Sequence, residues 1–181
     1  MTTSNQLLIK DLLAQNNVAI DAVNHFLQLP LQQLNHKPTE TSWCILECIE
    51  HLNLYSDYYL PEIEKQIKAN SSRLGNIFKS GIIGNYFANL MLNKNGKQKA
   101  LKAPKDKTPV FTNLSMATLD TFIKNQERFK QILLQSQALD LTNIKISISL
   151  TKIIKLRLGD TLRFVTYHNT RHIQQAEKVL Q

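Results

Sequence analysis

The stretch "RFVTYHNTRHIQQAEKVLQ", residues 163–181, has the spacing of a helix that packs one face into a protein core. At steps of three or four residues its inner stripe runs through Leu162 (or Val165), His168, His172, Ala176 and Val179. We expect the helix to open at Asp160, a favourable N-cap residue that follows Gly159. Two imidazoles therefore replace apolar side chains in the middle of an inward face.

His168 and His172 lie one helical turn apart, so both can reach a single metal ion. Burying two imidazoles among leucines is costly unless their nitrogens find partners. Those partners are either hydrogen-bonding groups of the protein or a shared metal ion, and the pair alone leaves both interpretations open.

Upstream, two further helical patterns stand out. Residues 4–28 form the first, which Pro30 ends, with an inner stripe of Leu8, Leu12, Val18 (or Ala19), Ala22 and Phe26. Residues 42–68 form the second, with Thr41 or Ser42 as its cap. Pro61 is expected either to kink this helix or to split it, and its stripe runs through Ile45, Cys48, Leu52, Tyr55, Tyr59 and Ile63.

A third long helix is expected over residues 113–138, with Leu119, Phe122 (and Ile123), Phe129, Ile132 and Leu133 facing inward. The connection over residues 70–111 is long and is expected to hold a short helix, which indicates a crossover between bundle helices. The segment "IKISISL" (144–150) alternates like a strand, but an extended connector has the same pattern, and we expect a loop. Together these patterns predict an all-α, four-helix-bundle protein with one domain over residues 1–181.

A third imidazole for a metal site is available on the second helix. His51 follows Cys48 by three residues and precedes Tyr55 by four, which places it at the border of the inward stripe. Bundle cores hold metals through side chains of facing helices. Three histidines leave a coordination position open to water or substrate, which is the layout of a catalytic metal site.

Two other interpretations of these histidines remain. They are either buried side chains that hydrogen-bond to the protein, or His168 and His172 join Cys44 and Cys48 in a Cys2His2 site suited to zinc. The other two histidines, His25 and His36, lie near a helix end and in a connector, and we assign them no function.

Composition and charge narrow the classes of function. The 181 residues are 43% hydrophobic and 20% charged, as in ordinary globular proteins, and the formal net charge is +8. Residues 93–107, "NKNGKQKALKAPKDK", contain six lysines and one aspartate. We expect a solvated linker there, with an anion or membrane patch as the alternative. Nucleic-acid binding is not favoured, because no aromatic residue interleaves the lysines and no binding motif is present.

The sequence predicts a cytoplasmic protein. Its N-terminus lacks the apolar core of a secretory signal, and no window has the apolar length of a membrane span. Cys44 and Cys48 lie four apart on one helix, a poor arrangement for a structural disulfide, which fits a reducing compartment.

Two segments resemble the DinB-like (DinB/YfiT) superfamily: "LNHKPTETSWCILECIEHL" (34–52) and "LGDTLRFVTYHNTRHIQQAEKV" (158–179). The resemblance implies a bundle in up-down-down-up order with a long crossover between helices two and three. It also implies a divalent metal held by His51, His168 and His172, and a packing role for Trp43. The chain departs from the family pattern at Cys44, where serine is frequent, and at His36, where an aromatic residue is frequent.

The same resemblance implies an enzyme, either a thiol transferase that uses a low-molecular-weight thiol or a metal-dependent hydrolase. Its partner would be a small-molecule thiol or electrophile. Zinc or nickel suits three imidazoles best, and iron or manganese also fits. Glu47 and Glu50 are the nearby acids for a general base, and Glu47 would otherwise orient His51. Arg171 would meet an anionic substrate, although a surface salt bridge is the simpler expectation.

The alternative to an enzyme is a non-catalytic metal-binding or interaction module. In that case the apolar segment "GIIGNYFANLML" (81–92) would form a partner surface, for example in a homodimer. A cavity beside a solvent-open metal position would argue for the enzyme.

Overall fold

The computed structural model describes residues 1–92, 103–109 and 114–181. Its elements, in chain order, are β1 (Thr2–Ser4), α1 (Asn5–Phe26), α2 (Leu31–Leu34), α3 (Ile45–Ala69), β2 (Ile77–Lys79), α4 (Ile82–Met91), a 3-10 turn (Lys105–Lys107), α5 (Met116–Ser136), β3 (Lys145–Ile148), β4 (Thr151–Arg157), α6 (Leu158–Glu177) and a second 3-10 turn (Lys178–Leu180). Among these described residues, no helix combines the length and the apolar character needed to cross a membrane.

The four long helices form the predicted bundle, in which α1 and α3 each pack against both α5 and α6. Helices α3 and α5 are parallel, because residues early in both are paired and so are residues late in both. Asn53 donates to the Thr118 carbonyl (3.0 Å), and Arg128 forms an ion pair with Glu64. These contacts place the crossover between two parallel helices.

Two other packed pairs, α1 with α5 and α3 with α6, are antiparallel. Asn16 of α1 donates to the Gln126 carbonyl, and Asn5, at the start of α1, donates to the Leu139 carbonyl beyond the end of α5. On α3 and α6, His51 lies against His172 whereas Tyr59 lies against Phe164. The order is therefore up-down-down-up, as predicted.

The structure decides two alternatives left open for the predicted helices and corrects one cap. In α1, Val18 is 66% exposed and Ala19 is buried, so Ala19 is the residue of the inner stripe. The cap of α3 is Cys44, which exchanges hydrogen bonds with Glu47 in a capping box, so neither Thr41 nor Ser42 caps this helix. Pro61 does not split α3: the helix continues through it to Ala69, and Pro61 lies on the exposed face.

The expected loop at residues 144–150 is wrong: this segment contains strand β3, which pairs with β4 in an antiparallel hairpin. Ile146 and Ile148 face the core, which accounts for the alternation in the sequence. The crossover contains the expected short helix, α4, and also β2, which pairs with β1 at the N-terminus.

Helix α6 begins at Leu158, not at Asp160. Asp160 is fully buried, where it accepts hydrogen bonds from the Ser80 hydroxyl and from the Gly81 N–H (2.8 Å) and forms an ion pair with Arg163 (3.2 Å). Its carboxylate therefore fastens the start of α4 to α6, instead of capping its own helix.

Candidate metal centre

The structure brings together the three histidines that the sequence singled out. Their ring centroids lie 4.5 to 5.0 Å apart, with His51 on α3 and both His168 and His172 on α6. One ring nitrogen from each histidine lies within 4.8 Å of the other two, the arrangement needed to hold one metal ion. The remaining histidines, His25 and His36, are exposed.

Hydrogen bonds fix the orientation of two of these rings. Nδ1 of His51 lies 2.6 Å from the Lys107 carbonyl oxygen, and Nδ1 of His172 lies 2.9 Å from Oε1 of Gln175. Since both oxygens only accept, each Nδ1 carries the proton and each Nε2 keeps its lone pair. Nε2 of His51 points to Nε2 of His168 at 3.2 Å. Outer hydrogen bonds of this kind orient the histidine ligands of protein metal sites.

Burial keeps these imidazoles neutral. Desolvation lowers the pKa of His51 to about 4 and that of His172 to about 3, and it lowers the pKa of His168 well below its ordinary value. The neighbouring positive charges, Lys107 for His51 and Arg171 for the other two, act in the same direction. The neutral imidazole is the form that binds a metal ion.

A cavity of about 750 Å³ opens beside the histidines. Trp43, Tyr55 and Phe164 surround the imidazoles, with ring centroids 5.0 Å from Trp43 to His51 and 4.4 Å from Tyr55 to His168. The predicted packing role of Trp43 is therefore combined with a place on the cavity wall. The remaining apolar wall comes from α4, the crossover and the hairpin: Phe87, Leu90, Met91, Pro104, Ile148, Leu150 and Leu156.

Two tyrosines of α3 hold the hairpin over this cavity. The Tyr58 hydroxyl donates to the Ile148 carbonyl (2.9 Å), and the Tyr59 hydroxyl accepts from the Ser149 N–H (3.3 Å). The sequence did not single out these residues for the site, because the hairpin itself was not predicted.

Arg171 is only 8% exposed and lines the cavity, so it is not the surface residue that the simpler expectation assumed. Glu47 does not orient His51, because its carboxylate closes the α3 capping box and pairs with Lys37 (2.7 Å). The group that orients His51 is the Lys107 carbonyl. This contact could not be predicted from the sequence, because every residue has a main-chain oxygen and Lys107 lies 56 residues from His51.

The Cys2His2 alternative is wrong. Sγ of Cys44 accepts the Glu47 N–H as part of the helix cap, and Cys48 is fully buried in the apolar core. Burial raises the pKa of both thiols, which disfavours the thiolate that a metal needs. Over the described parts of the chain, the group able to hold a metal consists of the three histidines.

Most of the lysine-rich segment, residues 93–102, lies outside the described residues. At its end, Lys107 is not a solvated linker residue: its ammonium donates to the Leu54 carbonyl (2.9 Å) while its own carbonyl accepts from His51. Lys107 therefore fastens the crossover to α3 beside the histidines.

Comparison of the sequence with models of known protein families identified one family. A model of the DinB superfamily matches residues 18–176, a range that includes all three histidines and Trp43. Searches of curated proteins and of solved structures found no match.

Proposed function

Because this chain belongs to the DinB superfamily, we propose that its three histidines bind a divalent metal ion and that it is a metal-dependent thiol transferase. The ligands are His51, His168 and His172. The reaction joins a low-molecular-weight thiol to an electrophile: a new S–C bond forms, the leaving group takes its electron pair, and the thiol proton passes to solvent.

One observation carries this proposal: three neutral imidazoles converge at the wall of a cavity large enough for a small molecule. An all-imidazole donor set suits zinc or nickel, and also iron or manganese. When bound, such an ion supplies a Lewis acid that lowers the pKa of a thiol or water in its open position.

The protein's own residues prepare the site. The Lys107 carbonyl and the Gln175 amide hold two rings with their lone pairs inward. Trp43, Tyr55 and Phe164 cover the imidazoles with apolar surface, which excludes water and strengthens electrostatic interactions at the site.

Thiol transfer is favoured over hydrolysis by the chemistry of the lining. None of the described lining residues carries a carboxylate, and residues 93–102 and 110–113 contain no aspartate or glutamate in sequence. Glu50, the other predicted candidate for a general base, accepts instead from Asn53 (3.3 Å). Water activation commonly relies on a positioned base, whereas a thiol, which ionises far more readily than water, would need none at this site. A metal-dependent hydrolase is therefore the second candidate.

The non-catalytic module remains the alternative, and one observation favours it. Helix α4 presents an apolar outer face in which Ile82 is 93% exposed and Ile83 and Tyr86 are more than half exposed. Such a face suits association, for example in a homodimer. The cavity at the histidines weighs toward the enzyme.

The test is elemental analysis of tag-free protein beside three variants, His51→Ala, His168→Ala and His172→Ala. We expect about one metal ion per chain in the parent and none in the variants. His36→Ala, which removes an exposed histidine, is the matched control and should keep the metal. A parent protein that binds no metal after incubation with zinc or nickel at neutral pH would end the proposal. Bound metal without turnover of 1-chloro-2,4-dinitrobenzene or other electrophiles by any thiol would favour the non-catalytic module.

A further inference from the structure

We propose that the cavity takes a ligand with an apolar, aromatic-sized body and one anionic group, and that Arg171 binds the anion. This inference specifies the class of substrate for the proposed function. It depends on that function only for the assumption that the ligand binds beside the histidines. The thiol or the electrophile would then carry a carboxylate or a similar anion.

The apolar body is inferred from the walls of the cavity. On one side the rings of Tyr55, Tyr59 and Phe164 form a continuous aromatic surface, with centroids 5.7 to 6.3 Å apart. Helix α4 also lines the cavity, with Phe87 and Met91. A volume of about 750 Å³ lies within the range of small-molecule sites, which are mostly apolar with a few placed polar groups.

The anion is inferred from the charge of the lining. Among the described lining residues, Arg171 is the one with a permanently charged side chain, and none is acidic. A guanidinium presents a planar pair of donors that matches a carboxylate. Because Arg171 is buried, its interaction with an anion is weakly screened by salt.

The position of Arg171 also orients the ligand. It lies between His168 and His172 in sequence and lines the same cavity as both. An anion bound there places the adjacent atoms of the ligand against the imidazoles, with the apolar body along the aromatic wall. The lining therefore disfavours cationic ligands, which need acidic partners.

The experiment uses a matched trio of probes: 4-phenylbutanoate, 4-phenylbutanol and 4-phenylbutylammonium. Trp43 is the single tryptophan of the chain and lies on the cavity wall, so its fluorescence reports occupancy without any activity. Titrations are run at pH 7.5 on metal-free and on zinc-loaded protein. We expect metal-free protein to bind the carboxylate at least about tenfold more tightly than the alcohol, and the ammonium most weakly, because a charge-assisted bond adds about 1.5 kcal/mol or more.

Arg171→Gln should remove the preference for the carboxylate while the alcohol keeps its affinity. Arg73→Gln makes the same change at an exposed position and should alter neither. Should Arg171→Gln fail to fold, Arg171→Lys keeps the charge without the planar fork and should retain only part of the preference.

Three results would overturn the proposal: no binding of any probe, equal binding of the three, or an unchanged preference in both Arg171 variants. A preference that appears only with zinc and persists in Arg171→Gln would also overturn it, because the carboxylate would then bind the metal. Failure of the proposed function is seen separately, since elemental analysis detects a missing metal while probe binding to metal-free protein is unaffected.

Discussion

His51 uses its two ring nitrogens for different tasks: Nδ1 bonds to the Lys107 carbonyl, and Nε2 faces His168. His172 is held in the same way by Gln175. The groups that determine the tautomers of His51 and His172 are therefore the main-chain carbonyl of Lys107 and the side-chain amide of Gln175. Both groups are uncharged, so each imidazole stays neutral and keeps the lone pair on Nε2.

Replacing Gln175 by Leu should weaken zinc binding about tenfold or more, because His172 loses the acceptor that orients it. The measurement is a competition titration against a zinc-binding dye. Gln174→Leu, one residue away and outside the cavity lining, is the control and should leave the dissociation constant unchanged. Equal affinities in the two variants would show that the amide does not orient His172.

The metal-free protein should lose stability as the pH falls below about 6.5. The folded pKa of His51 is lowered from 6.5 to about 4, so the unfolded chain binds more protons between these values. The stabilisation is therefore complete above pH 6.5 and is lost as the pH falls toward 4. Through His51 alone, the free energy of unfolding should drop by about 2 kcal/mol between pH 7.5 and pH 5.

Urea unfolding at these two pH values measures this drop. The His51→Gln variant should show a smaller drop than the parent, whereas the exposed-site variant His36→Gln should show the parent's drop. A His51→Gln variant with the full pH dependence would assign it to other groups.

At the residue scale, the sequence predicted that these three histidines lie inside the bundle, and the structure buries all three together. An imidazole is conspicuous on or beside an apolar helical stripe. The sequence could not predict the neighbours that come from other parts of the chain. Lys107 reaches His51 from the crossover, and Arg171, a charged residue next to His172 in sequence, looked like a surface residue.

At the scale of the elements, helices were predictable and their junctions were not. The spacing of apolar residues gave all four bundle helices to within a few residues, because burial of one face imposes that spacing. The start of α6 was misplaced because Asp160 has the side chain of an N-cap but bonds instead to Ser80 and Gly81 of another element. The hairpin was missed because alternation in a single strand does not reveal its partner.

The close packing of α4 against α6 leaves no room for a side chain at Gly84. A Cβ at this position would collide with the carboxylate of Asp160 and approach its Cβ to 2.5 Å. Replacing a helical glycine by alanine usually stabilises a protein by up to about 1 kcal/mol. Here we expect Gly84→Ala to destabilise the fold by about 1 to 3 kcal/mol, because α4 must shift.

Urea unfolding monitored by circular dichroism checks the sign of the Gly84→Ala effect. Ile82→Ala, on the exposed side of the same helix, is the control and should change stability by less than about 0.5 kcal/mol. Stabilisation by Gly84→Ala would mean that α4 is not held closely against Asp160.

At the scale of the whole molecule, the histidine cluster connects segments that are far apart in the chain. His51 and His168 are separated by 117 residues, and Lys107 adds the crossover to the same cluster. An ion bound at this point would join α3 to α6, which are antiparallel neighbours in the bundle. Metal binding would therefore act on the fold as well as on the site.

Zinc should raise the free energy of unfolding of the whole chain. A ligand that binds only the folded state adds about 4 kcal/mol at a free concentration 1,000 times its dissociation constant. We expect thermal and urea unfolding of the parent to shift accordingly with added zinc, and His172→Ala to show almost no shift. His36→Ala keeps the three ligands and should respond like the parent. If zinc is bound, by elemental analysis, but leaves the unfolding free energy unchanged, then the ion does not join α3 to α6 through these histidines, since a bridge between them exists only in the folded chain.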